Sequence, residues 1–170
     1  MGRNTRAMFR NLLPRLFGDD IPPDTCLSAD DAELAVAALL IRVARADRHY
    51  GDDERRRIDA ILAQRRRLDA TDARDRRAAA EMLEAEAPDT VRFTRAIKDR
   101  IPLDQRVAVI SGMWEIALAD GDRSPEEDAA IRLTGGLLGV SDQDSARARQ
   151  VVERANIRLA EASIAKAANG

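Results

Sequence analysis

The residues best suited to chemistry are carboxylates that occur in two short turns of similar sequence. The second turn contains Asp120 and Asp122, with Glu127 seven residues after Asp120; in the first turn, Glu54 follows seven residues after Asp47. Hard cations such as Ca²⁺ and Mg²⁺ prefer several oxygen ligands, which clustered carboxylates and turn carbonyls supply. These five residues are therefore a candidate acidic site, either for a divalent metal ion (calcium or magnesium) or for a protein partner.

The second turn is not an EF-hand, although it begins like one. Asp120, Asp122 and Ser124 alternate as the first ligands of such a loop do. However, Pro125 occupies the sixth position, where that loop needs Gly, and Ile131 occupies the twelfth, where it needs a bidentate Glu. An EF-hand is therefore rejected, and a metal site shared between the two turns stays open.

The first turn is less suited to a cation than the second. Arg48 stands where the second turn has Gly121, and His49 stands where it has Asp122, so a carboxylate is lost and a cation gained. His49 is the only histidine and Cys26 the only cysteine, so a zinc site would lack its usual nitrogen and sulfur ligands. We expect His49 to be an exposed turn residue.

The same carboxylates also have a purely structural interpretation. Glu127 comes three residues after Ser124, and Glu54 three residues after Gly51, which are the spacings of helix capping boxes. Acidic residues in a first helical turn are favoured by the helix dipole, and an Asp such as Asp47 can cap a turn through its own side chain. Both interpretations, helix caps and functional site, stay open at this point.

The elements that position these turns form an internal repeat. Aligning Asp47 with Asp120 matches three further pairs in the same order: Ala46 with Ala119, Glu54 with Glu127, and Ile58 with Ile131. The sequence therefore predicts two related halves, at about 28–87 and 103–160. In each half, the turn joins an apolar helix to an acidic one.

The composition and the apolar spacing predict an all-α fold. The chain has 170 residues, enough for one domain with a real core, and only 3% of them are aromatic, while Ala supplies much of the 45% hydrophobic content. Apolar residues recur at helical spacing between capping signals such as Ser28, Ser124 and Gly139. We predict a compact bundle of about seven helices, built from two pseudo-symmetric helix-turn-helix halves, and an additional N-terminal amphipathic helix.

Residues 1–27 are predicted to be an N-terminal arm and linker that precedes the domain at 28–170. Apolar residues at helical spacing over 4–17 alternate with arginines: Met8, Phe9, Leu12, Leu13, Leu16 and Phe17. Such a helix either docks on its own domain or makes peripheral contact with a membrane surface. No run approaches the roughly 20 apolar residues of a spanning helix, and no secretory signal is recognisable, so we expect a cytoplasmic protein.

A run of arginines between 55 and 77 gives a second class of function to consider. Arg55, Arg56, Arg66 and Arg67 are suited to phosphate contacts, which suggests an adaptor for nucleic acid or an anionic membrane. Acidic residues interleave with the run and the net charge is −2, so we do not expect nucleic-acid binding. No phosphate loop or nucleophile motif occurs, and we expect no enzymatic activity.

Four short motifs resemble the TerB-like tellurite-resistance family over about residues 28–160. They are Ala117-x-Ala119-Asp120-Gly121, Ser124-Pro125-Glu126-Glu127, Leu137-Leu138-Gly139-Val140-Ser141 and Phe93-Thr94-Arg95-Ala96-Ile97. The resemblance implies a compact helical fold with two acidic helix-turn-helix units and a role in tellurite resistance and chemical stress. It implies a metal-associated or interaction module, in some cases near membranes, rather than a catalyst. The family's acidic positions fall on Asp47, Glu54, Asp120 and Glu127, with Asp122 beside them.

Overall fold

The described residues form eight α-helices. The computed structural model describes residues 3–18, 27–87, 89–118 and 124–168, and within these ranges it contains no strand. The helices are α1 (Arg3–Phe17), α2 (Ala29–Ala44), α3 (Asp52–Arg66), α4 (Ala70–Glu86), α5 (Thr90–Lys98), α6 (Leu103–Ala117), α7 (Pro125–Leu137) and α8 (Asp142–Ala168). The predicted all-α class, with seven core helices and one N-terminal helix, is confirmed. The pseudo-symmetry of the two halves stays a prediction.

Helix α2 lies at the centre of the bundle. Its residues 34–41 are all at most 3% exposed, and the helix contacts α3, α4, α6 and α7. The sequence predicted a single buried stripe on this helix. The burial extends around the whole helix because residues 34–41 are apolar without interruption, and a helix that is apolar on every side is stable only when it is enclosed.

Local signals set the ends of the helices, as expected. The Oγ of Ser28 accepts a hydrogen bond from the backbone N–H of Asp31, which caps the start of α2. Gly139 follows α7 with φ of 69°, and Val140 N–H donates to the carbonyl of Gly135 at 2.9 Å. A left-handed glycine with this bond is a common helix C-cap, because it satisfies carbonyls that the helix leaves unpaired.

The N-terminal helix α1 packs on the domain through the described part of its apolar stripe. Leu12 and Leu16 are buried, and the helix contacts α4 and α5. The ring of Phe17 lies 6.0 Å from that of Phe93 on α5, and Arg15 forms an ion pair with Asp31 on α2. The linker part of the predicted arm lies almost entirely at 19–26, outside the described residues. The side chain of Phe9, which the sequence placed in the apolar stripe, is also outside them.

Helix α8 has 27 residues, and only its first half packs on the bundle. It contacts α6 and α7, and its last buried side chain is Val152. Asn156 still donates from Nδ2 to the carbonyl of Leu118 at 3.3 Å. Residues 154–168 are all exposed, so a helical segment of about 22 Å lies largely in solvent.

Arg67, which follows the last residue of α3, has a left-handed backbone conformation that a substitution can test. It has φ of 51° and ψ of 44°, and Leu68 N–H donates to the carbonyl of Ala63 at 3.0 Å. A side chain in this left-handed conformation costs about 1–2 kcal/mol, a cost that glycine avoids. We expect Arg67→Gly to raise the free energy of unfolding by about 1 kcal/mol.

Chemical denaturation followed by circular dichroism measures this change. The control is Arg66→Gly one residue earlier, inside the helix, which should lower stability by about 1 kcal/mol. Equal losses in both variants would contradict the left-handed cap.

Candidate functional site

The first acidic turn uses Asp47 as a turn cap. Backbone N–H of His49 donates to Oδ1 of Asp47 at 2.8 Å, and Nδ1 of the His49 ring lies 2.9 Å from the Asp47 carbonyl oxygen. Arg48 between them has φ of 67°, at the position that aligns with Gly121 of the second turn. The His49 side chain is 85% exposed, which confirms it as a turn-surface residue.

Glu54 makes the return bond of the capping box that the sequence suggested. Backbone N–H of Gly51 donates to Oε2 of Glu54 at 2.9 Å. The carboxylate therefore closes the start of α3 by satisfying an N–H that the helix itself leaves unpaired, while Gly51 has no side chain to bond the helix in return. Asp47 and Glu54 thus each use part of their acceptor capacity on the backbone.

The second turn is described only from its last residue onward. Asp120 and Asp122 lie outside the described residues, and Glu127 is at the start of α7. Backbone N–H of Glu127 donates to Oγ of Ser124 at 3.3 Å, so Ser124 is the N-cap. The Ser124 hydroxyl in turn donates to Oε2 of Glu126 at 3.0 Å. The Ser124 side chain therefore both caps α7 and bonds the neighbouring Glu126.

One contact between α3 and α6 shows which ends of these two helices lie together. Nη1 of Arg57 donates to the carbonyl of Ile116 at 3.4 Å. Arg57 is in the second turn of α3, which begins just after the first acidic turn, and Ile116 is in the last turn of α6. The start of α3 and the end of α6 therefore lie at the same end of the bundle.

We name this region the acidic end and define it by the described carboxylates of the first turn and of the helix starts that follow both turns. They are Asp47, Asp52, Asp53, Glu54, Glu126, Glu127 and Asp128. The side chains of Asp52 and Asp53 are 81% and 79% exposed, and each pairs within its own helix, with Arg55 at 3.3 Å and with Arg56 respectively. Exposed pairs of this kind are weak, so these carboxylates remain accessible to a partner.

The described acidic residues do not make a metal centre on their own. Across 3–18, 27–87, 89–118 and 124–168, no three His, Cys, Asp or Glu side chains are close enough to hold an ion. Asp47, Glu54 and Glu127 therefore do not converge without further ligands. Whether Asp120 and Asp122 complete such a group falls outside the described residues.

The arginines of the predicted adaptor face are largely paired with carboxylates. Arg55 lies 3.6 Å from Glu81 on α4 as well as beside Asp52, and Arg66 lies 3.9 Å from Asp30 on α2. The sequence suggested pairing along the helix, whereas part of the pairing crosses to other helices. The guanidinium of Arg55 also lies over the Tyr50 ring, 5.1 Å from its centroid.

A charge network between α2, α3 and α4 was not anticipated from the sequence. Arg42 on α2 pairs with Glu84 on α4 at 3.3 Å, and Arg77 on α4 pairs with Asp59 on α3 at 2.7 Å. The Tyr50 hydroxyl donates to Oε1 of Glu81 at 2.7 Å, and burial together with this carboxylate raises the pKa of Tyr50 above its ordinary value. Arg42 at the end of an apolar helix was the available signal, since an arginine there needs a partner.

A groove between α3, α6 and α8 was also missed. It has a volume of about 430 Å³, Ile61 and Val152 contribute to its apolar walls, and Val151 and Leu159 at its rim are 63% and 67% exposed. Glu115 lines it, half-buried. In the sequence, the available signal was Glu115 itself, an acidic residue among the mostly apolar residues of α6. A single acidic residue does not reveal a groove.

Glu115 differs from the acids of the turns because it has no close partner. In the described part of the chain it makes neither a hydrogen bond nor an ion pair, and burial raises its pKa, with Arg65 opposing that shift. Arg65 itself is held by Glu33 through two bonds of 3.2 and 3.3 Å. The groove therefore offers a carboxylate that a cation from outside can satisfy.

Comparison with known proteins identifies the family. The family described as "Tellurite resistance protein TerB" matches residues 33–150, which is more than half of the chain and includes both acidic turns. No curated protein and no solved structure gives a match. Among the described helices, none is long and apolar enough to cross a membrane. With this family match, the all-helical fold and the two acidic turns, the chain belongs to the TerB family of tellurite-resistance proteins.

Proposed function

We propose that the chain is a non-enzymatic module of the response to tellurite and related chemical stress, and that its acidic end docks a basic segment of a protein partner. The observation that carries the proposal is the Arg57–Ile116 contact, which brings the start of α3, just after the first turn, close to the end of α6. The acidic end includes carboxylates that are far apart in sequence. Family membership supports the stress-response context.

The charge of the acidic end favours a cationic partner. Within residues 47–57 and 124–128, the seven carboxylates are offset by four arginines, Arg48, Arg55, Arg56 and Arg57, which leaves an excess of three negative charges along these two segments. The whole chain carries only −2, so this excess is a local feature rather than a general one. A local negative field accelerates and orients the approach of a basic segment.

A binding role suits these carboxylates better than catalysis. Asp47 and Glu54 each accept a hydrogen bond from a backbone N–H, and Asp52 and Asp53 are solvent-exposed. Acid–base catalysis needs carboxyl groups whose environments differ strongly, usually through burial. Exposed helix-start carboxylates instead provide charge to a docking surface.

A divalent cation is the second candidate ligand, centred on the second turn. Asp120, Asp122 and Ser124 alternate in sequence and Glu127 follows them, which is a donor set that Ca²⁺ or Mg²⁺ prefers. The first turn supports this candidate less, because Asp47 and Glu54 act as caps and Arg48 adds a cation. A metal bound there would leave part of the acidic end free for a partner.

The adaptor alternative is less well supported than the acidic end. Three of its four arginines, Arg55, Arg56 and Arg66, lie beside carboxylates. A phosphate backbone would have to compete with these pairs. Contact of α1 with a membrane surface would likewise have to use residues other than the buried Leu12 and Leu16.

Binding of a fluorescein-labelled decalysine peptide tests the acidic end. We expect saturable binding at low ionic strength that weakens as salt is added, because exposed charges are screened. The triple variant Asp52→Asn, Asp53→Asn, Glu126→Gln should raise the Kd by about tenfold, which corresponds to about 1.4 kcal/mol shared among three charges. Fluorescence anisotropy measures the affinity.

The matched control removes the same charge elsewhere, through Glu86→Gln, Asp104→Asn and Glu161→Gln, all exposed. Equal loss in both triple variants would show that net charge alone binds the peptide and would overturn the proposal. Tighter binding to a DNA duplex or to phosphatidylserine vesicles than to decalysine would favour the adaptor alternative instead.

Calorimetric titration of chelator-stripped protein with Ca²⁺, Mg²⁺, Mn²⁺ and Zn²⁺ tests the metal candidate. We expect saturable heat with Ca²⁺ or Mg²⁺ that Asp120→Ala combined with Asp122→Ala abolishes, since this removes two oxygen ligands. Asp47→Ala should leave most of the heat, because its carboxylate is already bound to the turn. Circular dichroism checks that the variants stay helical; flat heats for every ion would eliminate the metal candidate and leave the peptide result standing.

A further inference from the structure

The unpacked half of α8 carries an apolar stripe that continues beyond the bundle. Of the large apolar side chains exposed in the described part of this helix, Val151 and Leu159, at 63% and 67%, lie on the stripe, whereas Ile157 and Ile164 lie on the opposite face. Val151, Ala155, Leu159, Ala162 and Lys166 follow each other at spacings of three or four residues, so they share one face of the helix. The beginning of this stripe forms the rim of the groove that contains Glu115.

We propose that this face binds a second copy of the chain, with the two α8 helices antiparallel and related by a two-fold axis at Leu159. Leu159 of one copy then packs on Leu159 of the other. Lys166 of each copy lies beside Val152 of the other, in the groove that Glu115 lines. Each copy thus completes the other's groove.

The charge of the two elements is complementary. Glu115 has no hydrogen bond or ion pair within the described part of its own chain, and Lys166 is exposed near the end of α8. Arg65 also lines the groove but is bound to Glu33, so a cation from a second copy gives the Glu115 carboxylate a partner of its own. In the two-fold arrangement both copies gain this pair, so the interface contains it twice.

The shape of the stripe also suits a close helix pair. Ala155 and Ala162 flank Leu159, and small residues on both sides of a large one let two helices approach and enclose it. A two-fold interface requires a surface that complements itself. The α8 stripe meets this requirement because one helix supplies the apolar rim, the central Leu159 and the cation.

Sedimentation equilibrium of the full chain over a range of concentrations tests the proposal. We expect a monomer–dimer equilibrium in the wild-type protein, and Leu159→Glu should raise the dimer dissociation constant by about tenfold or more, because it puts two like charges at the axis. The matched control is Leu133→Glu on α7, where the leucine is 56% exposed, and it should leave the equilibrium unchanged.

A charge exchange tests whether Lys166 of one copy pairs with Glu115 of the other. Lys166→Glu should weaken the dimer because it faces Glu115 of the other copy, and the double variant Lys166→Glu with Glu115→Lys should restore it. Circular dichroism confirms that each variant is folded. A wild-type chain that stays monomeric at every concentration would overturn the proposal, as would a dimer that tolerates Leu159→Glu or a double variant that fails to restore pairing.

Discussion

The complete burial of helix α2 is the constraint on which the rest of the structure depends. Residues 34–41 are apolar on every side and at most 3% exposed, so four helices must enclose them. Truncating a leucine in such a position costs about 2–5 kcal/mol, a large part of the stability of a domain this size. Gly112 on α6 reflects this enclosure, because a Cβ there would lie 3.3 Å from a Leu40 methyl group.

The enclosure of α2 also determines where charged side chains can lie. Since the apolar section of α2 ends near Arg42, this guanidinium emerges between α4 and α5, where it meets Glu84, Thr90 and the ring of Phe93. Arg77, Asp59, Glu81 and Tyr50 continue the polar contacts across α3 and α4. These contacts satisfy groups that the tight packing has partly removed from water, and they hold arginines that would otherwise be free to face an anionic ligand.

The helix starts that follow the two acidic turns show how capping shapes the charge of the surface. Asp47 and Glu54 stabilise the entry to α3 through backbone N–H groups, and Ser124 does so for α7. Helix starts favour carboxylates for electrostatic reasons, so these two starts carry negative charge at the surface. This surface charge is thus a product of helix capping.

The sequence alone determined the helical class, most helix boundaries and the capping roles, because those depend on residues within about four positions of each other. Ser28, Glu54 and Gly139 act where their spacing placed them. Only the tertiary structure decided which distant groups meet: Arg42 with Glu84 across 42 residues, Arg57 with Ile116 across 59, and Glu115 with the groove under α8. Such contacts follow from how helices pack around α2, and local periodicity carries no information on that arrangement.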